Sequence, residues 1–451
     1  MAVLSSPAIL RAPSAYVGRF VNGKRVAELF WVAFGYGLAG LAGIVGVRIL
    51  TSLLAPAEYG RLALAMTVAT LAQQVIFGPL SNSATRFFSP SEEKRQLTGY
   101  LRITKRILDK TTGLFLLCLG VAAIGLWLAN LKAWCVLVLA ASGFSLFFGW
   151  TSILNGMQNA ARQRAIVALH GGIGQWLRFG LAALAVLAFG KSAVWALTGY
   201  VASSLLILAS QILFFKREIA PRTRLDNDSE NPPFGLEREM TKYGRPFALW
   251  GTVMWAQQSA DRWALQSFKS VAEVGQYQAL NQLAFQPVFL WAGFAVQLIS
   301  PIVFSWAGDG TEAQRVNRAR RLNLMFVLCT LALAGVMAAI AGRYHEFIFS
   351  HLVAAPYRGI SGMMAIMVLS GGFCAAGQVI SIALMTGKKT SRLLAPRIGT
   401  GVIGVLLMLA GAKYFGVSGV VWAGLASYAA YFVWVSAIVW MEGRTPSPQA
   451  S

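Results

Sequence analysis

Residues 166–189 read IVALHGGIGQWLRFGLAALAVLAF, an apolar run that is long enough to cross a membrane as one helix. Arg178 interrupts this run near its middle, and three other apolar stretches contain Arg48, Arg262 and Arg397. Placing a guanidinium in hydrocarbon costs at least roughly 2.5–3.5 kcal/mol. A chain that retains four such residues is expected to shield them in an interior cavity, and a basic cavity favours an anionic cargo.

The overall composition excludes a soluble globular protein. The 451 residues are 56% hydrophobic and only 12% charged, with a mean hydropathy of +0.59. The 39 Lys and Arg residues exceed the 17 Asp and Glu residues and give a net charge of +22. Membrane topology explains most of this excess, and since the chain has no nucleic-acid-binding motif, no nucleic-acid partner is expected. The four cysteines lack CxxC spacing, so neither a metal nor a cofactor is expected.

Runs of about 20 apolar residues predict an all-α polytopic fold with twelve transmembrane helices. The predicted spans are 28–54, 59–85, 111–130, 134–157, 166–189, 193–215, 246–268, 274–304, 322–342, 359–386, 394–414 and 419–440. Pro79 and Pro287 are expected to kink or interrupt the second and eighth spans. On this topology 28 of the 39 basic residues lie on the side of the termini, 7 lie on the opposite side when Arg61 and Lys413 near the span ends are counted there, and 4 lie within spans. The positive-inside rule therefore predicts that both termini are cytoplasmic.

The polar stretch in the middle of the chain predicts two six-helix bundles. The predicted units are an N-terminal segment (1–27), a first bundle (28–215), a linker (216–243), a second bundle (244–440) and a tail (441–451). The motif Ala-Glu-x-Gly occurs at 57–60 and 272–275, and weaker echoes pair 152–153 with 381–382 and 190–194 with 416–420. Six helices bring each bundle back to the same side, so the bundles are predicted to be parallel repeats related by an axis along the membrane normal. The motif glutamates are interpreted as structural and its glycines as providing a tight turn or a helix start.

The in-span arginines are the first candidates for cargo binding. Arg178 is the strongest, because it is too far from both span ends to snorkel to water. Arg48 and Arg262, in equivalent helices, are predicted to form an upper pair, although Arg48 could equally mark the membrane interface. Gln175 and Gln258 are expected to contact cargo beside them. A further candidate, Arg397, lies near the start of its span and is predicted to act as a gate.

Two titratable residues are candidates for ion coupling. Asp261 is the only acidic residue predicted to lie well within a span, and it would be the carrier of H⁺ or Na⁺. Its alternative is a local salt bridge to another arginine that stabilises the bundle. His170 lies eight residues before Arg178 on the same helix and could relay protons, or could be an ordinary polar residue near the cytoplasmic opening.

Several short motifs resemble those of the polysaccharide-repeat-unit flippases, which include the O-antigen transporters of the multidrug/oligosaccharidyl-lipid/polysaccharide exporter superfamily. The resemblance covers about residues 28–440. It rests on Pro56-Ala57-Glu58-Tyr59-Gly60, Asn155-Gly156-Met157-Gln158, Tyr243-Gly244-Arg245-Pro246, Asp261-Arg262 and Glu273-Val274-Gly275-Gln276-Tyr277. It implies a MATE-like fold in the bacterial inner membrane. It also implies flipping of an undecaprenyl-pyrophosphate-linked oligosaccharide, for O-antigen, capsule or exopolysaccharide synthesis alongside glycosyltransferases and a polysaccharide polymerase.

Two other functions remain open on the sequence. One is an ion-coupled small-molecule or multidrug antiporter on the same fold, which a cationic interior disfavours when its substrates are themselves cations. The other is a membrane polysaccharide polymerase or ligase. The predicted connection at 343–358 contains His345, Glu346 and His351, which could hint at chemistry, but their spacing fits no common zinc motif. Such enzymes need catalytic groups on the periplasmic side, usually in a large loop, and this connection, the longest on that side, has only about 16 residues, so a transporter is predicted. The absence of a Walker motif argues separately against direct ATP hydrolysis.

Overall fold

The computed structural model describes residues 23–223, 235–307, 312–386 and 390–444, and none of these residues lies in a β-strand. The first half contains α1 (Gly23–Leu53), α2 (Pro56–Ala72), α3 (Gly78–Glu93), α4 (Leu97–Leu128), α5 (Lys132–Ala160), α6 (Arg164–Phe189) and α7 (Ala193–Thr223). The second half contains α8 (Leu236–Phe268), α9 (Val271–Leu280), α10 (Gln286–Ala307), α11 (Ala313–Leu352), α12 (Met364–Thr386) and α13 (Leu394–Arg444). Two 3₁₀ segments, Ala355–Met363 and Thr390–Leu393, precede α12 and α13.

Ten helical stretches among the described residues are long and apolar enough to cross a membrane, so the chain is a multi-pass membrane protein. The difference from the twelve predicted spans arises at two places. The last stretch combines predicted spans eleven and twelve, because α13 continues through a single non-helical residue, Gly416 (φ 62°). The predicted seventh span corresponds to α8, which is not among the ten, since its second half carries Gln257, Gln258, Asp261 and Arg262 in addition to the polar first turns.

Both prolines that were expected to disturb a span follow a π-helical turn. Gln73–Phe77 connects α2 to α3 just before Pro79, and Asn281–Phe285 connects α9 to α10 just before Pro287. A proline lacks the N–H that an α-helix needs and its ring crowds the preceding turn, which a locally wider turn accommodates. The two halves therefore share the same irregularity in the same relative helix.

The motif glycines lie within helices, near their starts, so of the two expected roles the tight turn is wrong and the position at a helix start is observed. Gly60 is in the second turn of α2, and Gly275 is in the second turn of α9. A Cβ on Gly60 would lie 2.0 Å from the Val271 carbonyl oxygen, and a Cβ on Gly275 would lie 1.9 Å from the Pro56 carbonyl oxygen. The contact is reciprocal, so the glycines allow two equivalent helix starts to pack backbone to backbone.

The motif glutamates lie in the first helical turns, as predicted. Glu58 accepts a hydrogen bond from the Ala193 backbone N–H at 2.8 Å, at the start of α7. Glu273 lies beside the break in α13, where a Cβ on Gly416 would be 3.2 Å from its Oε2 atom. The two sequence echoes at 57–60 and 190–194, and their counterparts in the second half, are thus adjacent in space.

Two predicted connections are shorter than expected. The segment 343–358 is mostly helical, because α11 continues to Leu352 after a non-helical residue at Tyr344 and a 3₁₀ segment begins at Ala355. The predicted linker 216–243 is helical at both ends, since α7 ends at Thr223 and α8 begins at Leu236. Residues 224–234, and the termini at 1–22 and 445–451, lie outside the described residues.

Three buried clusters hold the helices together, and the largest contains residues from both halves. In this shared cluster the Tyr357 hydroxyl donates a buried hydrogen bond of 2.8 Å to the Leu54 carbonyl, and the Tyr357 ring packs edge-on against Tyr59. These contacts lie at the end of the bundle where α1 is joined to α2. The two halves are therefore closed together at that end.

The glycine contact predicts an asymmetry between two Gly→Ala substitutions. Gly60→Ala should destabilise the protein by about 1–3 kcal/mol, because the new methyl group overlaps the facing carbonyl. Gly113→Ala, in an open position of α4 where a Cβ meets nothing within 4 Å, should be neutral or slightly stabilising through helix propensity. Thermal unfolding of the purified proteins in detergent measures both changes. Equal midpoints for the two variants would contradict the close packing.

Candidate functional site

A cavity of about 580 Å³ lies between the two halves, and we call it the central cavity. Its walls come from α2, α6 and α7 of the first half and from α8, α9, α10, α12 and α13 of the second. The cavity brings together six predicted site residues: Gln175, Arg178, Gln258, Asp261, Arg262 and Arg397. Residues that are more than 200 positions apart in the chain thus share one compartment.

Arg178 occupies the first-half wall of this cavity, held by aromatic rings. Its guanidinium carbon lies 4.7 Å from the ring centre of Phe144, 5.4 Å from that of Phe148 and 5.6 Å from that of Tyr200. Among the described residues it forms no ion pair, and its buried Nε atom has no hydrogen-bond partner. Cation–π contacts offset part of the desolvation cost and leave the positive charge uncancelled.

Arg397 is held in the same way in the second half. Its guanidinium carbon lies 5.1 Å from the ring centre of Trp250 and 5.5 Å from that of Tyr431. It lines the central cavity together with Arg178. Its predicted role as a gate stays a prediction.

Asp261 and Arg262 form a buried polar cluster that joins α8 to α9. The Asp261 carboxylate accepts a hydrogen bond of 2.7 Å from the Tyr277 hydroxyl and lies 3.3 Å from an Arg262 guanidinium nitrogen. Arg262 also donates 2.8 Å hydrogen bonds to the Gln278 side chain and to the Gln258 carbonyl. The sequence left open a salt bridge from Asp261 to another arginine, and the structure instead pairs it with the adjacent Arg262, which neutralises one of the cavity arginines.

Amide side chains supply most of the remaining polarity. The Gln74 amide donates a 2.9 Å hydrogen bond to the Gln258 side chain, which links the two halves. Gln175 lies one turn before Arg178 on α6 and faces the same cavity. Other amides in the wall are Gln257, Gln278, Asn281, Gln282, Gln286 and Gln378. Such side chains both donate and accept hydrogen bonds, which suits a hydroxyl-rich ligand.

Arg48 does not belong to the site, which corrects the sequence-based prediction. Its side chain is exposed, and it is not part of the cavity wall. Val47 and Leu50 on either side of it are buried in the core. Successive helix positions are about 100° apart, so packing of these two residues turns Arg48 outward. The predicted upper pair of Arg48 and Arg262 is therefore absent from the central cavity.

His170 is buried between α6 and α7, outside the central cavity. Its Nδ1 atom lies 2.8 Å from the Ile166 carbonyl oxygen, and its Nε2 atom lies 3.1 Å from the Ser210 hydroxyl. It lines a second cavity of about 330 Å³, which we call the side cavity. The two cavities share Gln175 and Arg178 as a common wall.

The aromatic rings around the two arginines are the functional residues that sequence reasoning missed. Phe144 and Phe148 lie one turn apart on α5, so their spacing gave a faint signal of a shared face. Nothing in the sequence indicates that this face meets α6 at Arg178, because the contact depends on how the helices pack.

The described ionisable residues of the central cavity carry a net positive charge. Three arginines, Arg178, Arg262 and Arg397, face one carboxylate, Asp261. The formal charge of these four groups is therefore +2. A cavity of this charge attracts anions and repels cations.

The chain has apolar helices and a polar cavity between two helical halves. These features define the class of polytopic membrane proteins with an interior binding compartment. The chain belongs to the family described as "Polysaccharide biosynthesis protein", whose model matches residues 26–305. No curated protein matches the sequence.

Solved structures share the fold at low identity. The lipid II flippase MurJ in an inward closed conformation is 14% identical, with 92% of this chain and 87% of that chain covered and a TM-score of 0.69. The MATE transporter VcmN of Vibrio cholerae is 13% identical, with 94% and 97% covered and a TM-score of 0.61. A MOP superfamily transporter from Pyrococcus furiosus is 16% identical, with 94% and 97% covered and a TM-score of 0.58. These similarities establish the fold.

The buried ion pair predicts strong coupling between Asp261 and Arg262. Asp261→Asn should destabilise the protein by roughly 3 kcal/mol, because it leaves the Arg262 charge buried beside a neutral group. The double substitution Asp261→Asn with Arg262→Gln should cost less than the two single substitutions combined. Thermal unfolding of the three variants in detergent completes the cycle, and strictly additive effects would show that the pair is not energetically coupled.

Proposed function

We propose that the protein is a transporter that flips an undecaprenyl-pyrophosphate-linked oligosaccharide across the bacterial inner membrane. The observation that carries this proposal is the central cavity, where Arg178 and Arg397 are stacked on aromatic rings and have no carboxylate partner among the described residues. Two unpaired guanidinium groups suit a diphosphate or an acidic sugar, because each can donate two parallel hydrogen bonds to an oxyanion. Membership of a polysaccharide biosynthesis family supports the same substrate class.

The proposed mechanism is alternating access by rocking of the two halves. The diphosphate and the sugars enter the central cavity from the cytoplasmic side, while the polyprenyl chain remains in the lipid. Arginines bind the diphosphate, and the cavity amides bind sugar hydroxyls. Closure on one side and opening on the other then exposes the headgroup to the periplasm.

We further propose twelve membrane-spanning helices in two bundles related by a pseudo-two-fold axis along the membrane normal, with both termini in the cytoplasm. The reciprocal contact of Gly60 and Gly275 supports the symmetry, since an axis between α2 and α9 would exchange one glycine for the other. The repeated π-helical turns before Pro79 and Pro287 support it as well. On this orientation the closed end of the bundle faces the periplasm.

The proposed place of the protein is in the assembly of a surface polysaccharide such as O-antigen, capsule or exopolysaccharide. Glycosyltransferases on the cytoplasmic side would supply the lipid-linked oligosaccharide, and a polymerase on the periplasmic side would consume it. The net positive charge of the central cavity supports this cargo over the cationic substrates of a multidrug antiporter.

Substitutions at Arg178 test the cargo site. Arg178→Ala should lower the rate of flipping in proteoliposomes at least tenfold, because the anionic headgroup loses a desolvated partner. Arg178→Lys should retain only part of the activity, since an ammonium group cannot form a bidentate contact. Arg48→Ala removes the same charge at an exposed position and should leave the rate unchanged.

The amount of surface polysaccharide gives a second measure of transport, in cells that lack the native gene and express each variant instead. Normal polysaccharide in the Arg178→Ala variant, at an unchanged protein level, would overturn the cargo site.

Ion coupling by Asp261 is a separate prediction. In the proposed cycle H⁺ or Na⁺ binds Asp261 and displaces Arg262, which frees a third cavity arginine for the cargo. Flipping in proteoliposomes should then accelerate under an imposed ΔpH or Na⁺ gradient, and Asp261→Asn should abolish this acceleration. Transport that is indifferent to both gradients in the native protein would remove the coupling role from Asp261.

A further inference from the structure

The side cavity is a built compartment that the proposed transport cycle has not used. It lies within the first half, between α1, α5, α6 and α7, and two residues of α10 complete its outer wall. Its volume of about 330 Å³ falls at the lower end of the range of small-molecule sites. The compartment adjoins the central cavity at Gln175 and Arg178.

One face of α6 runs the length of this compartment and carries an arginine at each end. Arg164, Gly171, Gln175 and Arg178 fall within about 60° of one another around the helix axis, at 100° per residue. All four line the side cavity. The two arginines are fourteen positions apart in the helix, which corresponds to about 21 Å along its axis. The glycine between them keeps the path open, since a Cβ at Gly171 would meet nothing within 4 Å.

The polar groups of the compartment are incompletely satisfied. Thr151 is only 4% exposed, yet its buried hydroxyl has no hydrogen-bond partner among the described residues. The buried Nε atom of Arg178 also has none. Arg164 donates a 2.8 Å hydrogen bond to Asn159 but forms no ion pair with a described residue. Buried donors without partners are costly in an empty site and are satisfied when a ligand with acceptor oxygens occupies it.

Charge selects the class of ligand. The ionisable residues in the described wall are Arg164, His170 and Arg178, and none is acidic. We propose that the side cavity is a second binding site for a diphosphate, held first near Arg164 and then passed along α6 to Arg178. This inference rests on the proposed function, and it adds a loading site that precedes the central cavity.

The outer wall offers a way out for a chain attached to the diphosphate. Between α1 and α10 it includes a 2.9 Å hydrogen bond from the Gln297 amide to the Tyr36 hydroxyl, an edge-on contact of Tyr36 with Phe294, close packing of Tyr36 on Gly293, and Leu290 packed near Gly40. Because few polar contacts hold this boundary between α1 and α10, the two helices can separate and leave room for a polyprenyl chain to extend into the lipid. A lipid-linked diphosphate therefore fits this site better than a free one.

Cysteine protection tests the site directly. In a background with the four native cysteines replaced, Gly171→Cys reports on the side cavity and Thr70→Cys on the central cavity. The rate of modification by an anionic methanethiosulfonate reagent is measured in purified full-length protein, with undecaprenyl diphosphate, inorganic pyrophosphate or undecaprenol added. Undecaprenyl diphosphate should slow modification at least tenfold at both positions, and undecaprenol should not.

Charge variants identify the contribution of Arg164. Arg164→Gln should abolish protection at Gly171→Cys and leave protection at Thr70→Cys intact, and Arg164→Lys should retain part of it. Arg162→Gln removes the same charge from an exposed position two residues away and should change neither rate. Gel filtration shows that each variant remains folded.

The outcomes separate this inference from the proposed function. Protection confined to Thr70→Cys would overturn the side-cavity site and leave the flippase proposal standing. Protection at neither position would overturn both. Equal protection by inorganic pyrophosphate would support a diphosphate site but overturn the role of the lipid chain.

Discussion

The arrangement on which the site depends is a guanidinium kept inside a membrane protein without a carboxylate partner. Arg178 is held by three aromatic rings and Arg397 by two. Each such contact contributes on the order of 0.5–2 kcal/mol, which offsets part of the cost of burial. A carboxylate partner would have offset more of the burial cost, but it would also have cancelled the positive charge of the arginine. The rings therefore preserve a charge that an anionic ligand can use.

Asp261 and Arg262 show the opposite solution within the same cavity. Here the charges are paired, and Tyr277 and Gln278 satisfy the remaining donors and acceptors. A paired arginine binds an anion only after its partner is neutralised or displaced. Among the described residues, the cavity thus holds two arginines without a carboxylate partner and one that is paired with Asp261, and this difference is the basis on which an ion is proposed to be linked to the cargo.

Much of this site could be predicted from the sequence, because a charged residue within an apolar run can be recognised from that run alone. Arg178, Arg262 and Asp261 are conspicuous in apolar runs whatever their neighbours are, and they do converge. Arg48 was equally conspicuous but lies near a helix end, where Val47 and Leu50 decide which way it faces. The π-helical turns had a local signal in Pro79 and Pro287. The aromatic rings around the arginines and the Gly60–Gly275 contact depend on packing between helices, which one sequence does not encode in any local pattern.

The packing of α6 against α1 determines how the two cavities move together. Gly172 faces the Leu38 side chain, Gly35 faces Ala168, and Gly46 faces the Phe179 ring, each so closely that a Cβ would lie 3.0 Å or less from its neighbour. Two helices in such close contact along their length move as one body. α1 also contacts α10 through Tyr36 and Gln297, while α6 carries Arg178 into the central cavity. A displacement of the α1–α6 pair relative to α10 would therefore open the side cavity and move Arg178 in the same step.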